Sequence, residues 1–248
     1  MTKPAFVMIT GLLLSASGAW ANESSGPAPT LREGDLPAIG QVNVAHFNRR
    51  AMCSGVLVAR NVVLTAAECA IDPTTRAPVD VRKLHFVAGV DKDRYAAHAK
   101  VNCVRFPDGY TYLGPERHLP GVRQPMPAGA FANSAALLIL DRELTVAPIP
   151  IARAASAIEK DKDYFVAGYG AQQRYRLTIR SCRFAKDQAG SGLWAGECTE
   201  PGSSPGGPIL ALKGRALEVV GITPASFDPW KPLGIAISGL NRAHAHCE

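Results

Sequence analysis

The chain has 248 residues, 47% of them hydrophobic and 19% charged. That much apolar sequence can bury a sizeable core, which excludes a disordered chain or a small disulfide knot. The formal charge of +6 is spread along the sequence, which fits a mild preference for anionic surfaces and no specific nucleic-acid partner. With 23 Gly and 19 Pro, the composition favours many short strands and turns over long helices.

The chain opens with Lys3, an apolar run over residues 5–14 and then Ala19-Trp20-Ala21, an A-x-A pattern. Residues 1–21 read as a secretory signal peptide. The apolar run is shorter than the ~20 residues a membrane span needs, and no later run is longer, so the chain is expected not to span a membrane. Export to the periplasm or the medium would put the six Cys where disulfides persist. Residues 22–36 read as a flexible polar leader.

Twelve short apolar or alternating runs follow, at 38–47, 52–59, 62–65, 84–89, 97–106, 135–140, 165–170, 174–184, 192–198, 207–212, 217–223 and 233–237. Regular short strands of this kind predict an all-β sandwich or pair of barrels. Residues 152–162 are the best helical candidate, placed where a connection between two halves would lie. The Pro- and Gly-rich stretch 107–133 reads as a long surface loop.

Three pieces, in order, carry a family resemblance. The first is Cys53-Ser54-Gly55-Val56-Leu57-Val58 with Val62-Val63-Leu64-Thr65-Ala66-Ala67-Glu68-Cys69. The second is Asn133-Ser134-Ala135-Ala136-Leu137-Leu138-Ile139-Leu140, and the third Pro201-Gly202-Ser203-Ser204-Pro205-Gly206-Gly207-Pro208-Ile209-Leu210. Together they resemble a trypsin-like serine protease of the chymotrypsin fold, with the flavour of secreted bacterial members. Pro37-Ala38-Ile39-Gly40, Gly168-Tyr169-Gly170 and Val219-Val220-Gly221-Ile222 support it.

The resemblance implies an all-β fold of two six-stranded antiparallel β-barrels packed about a central cleft, over 37–148 and 149–248, together one peptidase domain. It also implies bridges Cys53–Cys69 and Cys182–Cys198, which leaves Cys103–Cys247. It implies no cofactor.

The resemblance fails at the reacting residues. The family's His position carries Glu68 and its Asp position carries Ser134. Aligned backward from Gly206-Gly207-Pro208, the nucleophile position is Pro205; aligned forward from Gly202, it is Ser204, with Pro205 inserted. A serine hydroxyl needs a neighbour to take its proton. Imidazole does this because it titrates near neutrality and its second nitrogen can be held by a carboxylate; a carboxylate at Glu68 is a weak base with no such second nitrogen. Proline at the nucleophile position removes both the hydroxyl and one N–H of the oxyanion hole, expected around Gly202, Ser203 and Ser204. Proline inserted after Ser204 pushes that residue to extended geometry, with loss of the tight turn. The histidines at 46, 85, 98, 118, 244 and 246 lie in no motif that places them at a cleft; His118, in the loop before the second motif, is the one a swung-in replacement would use.

Peptide hydrolysis is therefore expected to be lost, leaving a binding or scaffolding role with a protein or peptide in the former substrate cleft. Two alternatives stand beside it: an active endopeptidase with a rearranged site built on Ser204, and an anion- or metal-binding module on the protease scaffold. For the latter, Arg174, Arg176 and Arg180 at even spacing would share one strand face, extended by Arg183 and Lys186, while Arg49-Arg50 forms a second patch. His244, His246 and Cys247 have zinc- or copper-ligating chemistry, although export favours a bridged Cys247. The residue lining the specificity pocket falls on Thr199 or Cys198, neither an Asp that would select Lys or Arg.

Overall fold

A computed structural model describes residues 31–44, 51–72, 75–107, 110, 134–152, 158–160, 162–170, 172–186, 193–202, 204–224, 230, 232–237 and 247. The first barrel holds β1 (Ile39–Val44), β2 (Ala51–Ala59), β3 (Val62–Ala66), β4 (Leu84–Ala88), β5 (Ala97–Arg105) and β6 (Ala135–Leu140). The second holds β7 (Asp163–Gly168), β8 (Thr178–Lys186), β9 (Leu193–Cys198), β10 (Pro208–Lys213), β11 (Ala216–Ile222) and β12 (Leu233–Ala236). Each set closes on itself, in the order β1-β2-β3-β6-β5-β4 and β10-β11-β12-β9-β8-β7, with every ladder antiparallel. Closure removes the exposed strand edges that an open sheet would have to protect.

The sequence pattern explains the elements. Val62-Val63-Leu64-Thr65-Ala66 and Ala135-Ala136-Leu137-Leu138-Ile139-Leu140 are continuous apolar runs, and both strands are buried on both faces. Val42, Val56, Leu64, Phe86 and Leu138 are fully enclosed in the first barrel, as are Val166, Phe184 and Ile209 in the second. Burying one such side chain contributes roughly 1.5–3 kcal/mol, so the two interiors hold the fold without help from any reacting residue. Three disulfides add to this: Cys53–Cys69, Cys182–Cys198 and Cys103–Cys247. The middle one is cross-strand, since Cys182 and Cys198 are directly paired on β8 and β9.

All twelve strand expectations meet a strand, with ends shifted by a few residues. The largest shift is in β8, which starts at Thr178 rather than residue 174. Residues 174 and 175 turn instead, because the Lys92 amide donates to the Tyr175 carbonyl and the Gln41 side chain donates to the Arg174 carbonyl. This overturns the proposed cationic face. Arg174 and Arg176 precede the strand, and Arg180 is buried at 4% exposure. Arg183 is paired with Asp163 at 2.7 Å.

The end of the expected leader is structured: Glu33–Asp35 forms a 3-10 turn and Leu36 is buried. The signal-peptide reading, Arg49-Arg50, most of the 107–133 loop, the core of the helical candidate (153–157) and His244 with His246 lie outside the described residues. Among those described, no helix is long and apolar enough to cross a membrane.

Candidate active-site region

The serine-loop segment is a closed turn. The Gly207 amide donates to the Ser204 carbonyl at 2.8 Å, and Gly206, between them, has φ +77°. A four-residue turn with positive φ at its third position is type II, the turn in which proline is favoured at the second position. Pro205 occupies that second position. Its fixed φ suits this corner and its missing N–H is not needed to close it, so the loop keeps a closed turn, although not one that presents the Ser204 hydroxyl.

The turn is anchored on three sides. The Ser54 amide of β2 donates to the Pro205 carbonyl at 2.6 Å, and the Gly206 amide donates to the Thr223 carbonyl at 2.7 Å. The Thr223 hydroxyl donates back to the carbonyls of Ser204 (2.8 Å) and Gly207 (3.2 Å). Gly206 is pressed against the first barrel so closely that a Cβ there would lie 2.3 Å from both the Ser54 carbonyl oxygen and the Thr65 hydroxyl. That hydroxyl itself donates to the Ser54 carbonyl at 2.7 Å.

Ser204 faces inward. It is 4% exposed, and its Oγ is a buried polar atom with no hydrogen-bond partner. Its neighbour is Gly168, where a Cβ would come within 2.6 Å of the Ser204 Cβ and of the Ser54 Oγ. The Ser54 hydroxyl is engaged across the barrels, accepting from the Tyr169 amide at 2.8 Å and donating to its carbonyl at 3.4 Å. Ser204 is thus a filler between the barrels, and the backbone corner beside the first barrel belongs to Pro205. Ser203 lies outside the described residues.

On the facing wall, Glu68 sits in the 3-10 turn Ala67–Ala70, which follows β3 directly and is fixed by the Cys53–Cys69 bridge. Ser134, just before β6, touches this turn twice: its hydroxyl donates to the Glu68 carboxylate, and its carbonyl accepts from the Ala67 amide at 3.0 Å. The structure therefore brings Glu68 and Ser134 together as a pair. Ser134 is 1% exposed, so its hydroxyl orients the carboxylate and has no access to a ligand.

Sequence reasoning missed Arg180, Thr65 and Thr223. The Arg180 guanidinium lies under the loop and donates to the Gly202 carbonyl at 2.8 Å. Burial lowers its pKa from the usual arginine value, with Glu200 acting in the opposite sense. The signal for Arg180 is a lone charged residue among apolar neighbours in a strand (Leu177, Ile179, Cys182), which even spacing with Arg174 and Arg176 masks. Of the pocket candidates, Cys198 is in a disulfide, and Thr199 is exposed, with its amide and hydroxyl both turned to the Ser181 carbonyl. Cys247 is likewise oxidised, and no three potential metal ligands cluster among the described residues.

A family model for Trypsin matches residues 30–237. The chain belongs to the trypsin family. The match spans both barrels, and no curated protein matches the chain. Between the two matched barrels, the Pro205–Gly206 corner rests on Ser54 and Thr65 of the first.

Proposed function

We propose that this trypsin-family protein is exported, does not hydrolyse peptides, and acts by binding a protein or peptide in the cleft between its barrels. The observation that carries this reading is the type II turn with Pro205 at its apex. It supplies neither a hydroxyl nor an N–H at the position matched to the family's nucleophile, so proton removal and one oxyanion-hole donor are both absent. At the position matched to the family's histidine stands Glu68, whose carboxylate accepts from the Ser134 hydroxyl and is a weak base at neutral pH.

The rearranged endopeptidase built on Ser204 finds no support in the geometry, because an attacking hydroxyl must reach a substrate carbonyl and Ser204 is turned into the barrel junction. Export fits three oxidised disulfides and the apolar start of the sequence.

Losing a whole triad costs on the order of 10⁶ in turnover. The purified protein should leave a peptide library uncut on the timescale in which a trypsin-family enzyme consumes it. Cleavage at ordinary protease rates by the natural chain, absent in a Gly206→Trp control, would overturn the proposal.

A further inference from the structure

On the outer face of the first barrel, β4 and β5 carry two histidines in register to meet. His85 pairs with Lys100 and Val87 pairs with His98, so the four side chains share one face. The His85 Nδ1 and His98 Nε2 atoms are 2.9 Å apart. The ring planes are within 12° of parallel and the centroids 5.2 Å apart. With nitrogens that close, a centroid separation this long means the rings meet edge to edge, in line. A neutral pair shares one proton there, as N–H···N. A second proton entering the contact would set two N–H groups head to head, and the rings must part.

The position of the pair gives this a consequence. Two residues beyond Val87, the strand enters the hairpin that straps the first barrel to the second. The Val90 carbonyl accepts from the Tyr169 hydroxyl at 3.0 Å. The Lys92 amide donates to the Tyr175 carbonyl at 2.6 Å. Asp91 forms an isolated bridge with Arg176. Gly89, Val90, Asp91 and Ala96 line one side of a cavity of about 330 Å³ whose other side is Tyr169, Arg176 and Leu177.

We propose that the His85–His98 pair is an acid-operated clasp on this inter-barrel strap: closed at neutral pH, and opened when both imidazoles are protonated. The charged groups around it resist the second proton. Lys100 lies opposite His85 on β5, and Arg142, after β6, donates to the His98 carbonyl. Asp141 opposes them, although one of its oxygens accepts from the Lys100 amide at 3.2 Å. From β1, the partners are Asn43 opposite His85 and Gln41 opposite Val87, neither of which titrates. Burial first, then His85, Arg142 and Lys100, hold the His98 pKa below the usual histidine value.

The test is histidine-ring NMR from pH 8 to 4, with amide protection factors followed at Lys92 in the same samples. Two coupled steps separated by more than about one pH unit are expected, with Lys92 protection falling at least tenfold across the lower step. In His98→Gln and, separately, His85→Gln, the remaining ring should titrate as a single site and the acid loss of Lys92 protection should vanish. Independent titration of the two rings in the natural protein, or an acid loss at Lys92 that persists in both variants, would overturn the clasp.

Discussion

The Ser54 amide of the first barrel donates to the carbonyl of Pro205 in the second, at 2.6 Å. This bond holds the apex of the serine-loop turn against the opposite cleft wall, and it uses only backbone atoms. A proline can therefore stand at the apex while the cleft keeps its shape. The fold of the site and its chemistry are separable here, because the anchors (Ser54, Thr65, Gly206, Thr223) are not the reacting positions.

Ser204→Ala follows from the orphaned hydroxyl. An unsatisfied buried donor costs about 1–3 kcal/mol, and alanine removes it with little change of volume. The variant should be as stable as the natural protein or more so by up to ~1 kcal/mol in urea unfolding. A loss above ~2 kcal/mol would mean that the hydroxyl has an essential partner.

Gly206→Ala should be among the most damaging single changes. The substitution forces φ +77° on a residue with a Cβ and drives that carbon to 2.3 Å from the Ser54 carbonyl oxygen. Left-handed strain costs about 1–2 kcal/mol and the clash adds to it, so a loss of at least ~3 kcal/mol is expected in the same assay. Thr223→Val, which deletes the two donations to Ser204 and Gly207, should cost about 1–3 kcal/mol.

The three disulfides should differ in worth. Cys53–Cys69 and Cys182–Cys198 each close a separation of 16 residues, whereas Cys103–Cys247 closes 144. In the chain-entropy account the stabilisation grows with loop length, from about 3 kcal/mol for the short loops to about 5 kcal/mol for the long one. Paired Cys→Ser variants should rank in that order by thermal unfolding.

Acid should reduce stability through His98. Its folded pKa is depressed, so below about 6.5 the unfolded chain takes up the proton first. The contribution is complete above that pH and is lost progressively as pH falls towards the folded value. Tm should decline between pH 7 and 5, and His98→Gln should flatten that part of the curve.

Most of the fold was legible because short apolar runs have few alternatives. Ala135–Leu140 reads as a buried strand, and the strand has those bounds. Glu68 and Ser134 stand out from their flanking motifs in the sequence, and the structure pairs their side chains. The serine loop is not legible in this way. Two alignments of Pro205 are equally good on paper, and neither carries the positive φ of Gly206 or the inward Ser204 that the turn shows. Arg180 does not share a face with Arg174 and Arg176, because even spacing predicts a shared face only while the strand continues, and β8 begins two residues before Arg180.

The central claim is tested most directly by intact-mass analysis after exposure to a fluorophosphonate probe. The natural chain should remain at its unmodified mass, while a chain carrying Glu68→His, Ser134→Asp and Pro205→Ser should gain one adduct at residue 205. Stoichiometric labelling of the natural chain at Ser204, lost in Ser204→Ala, would contradict the account.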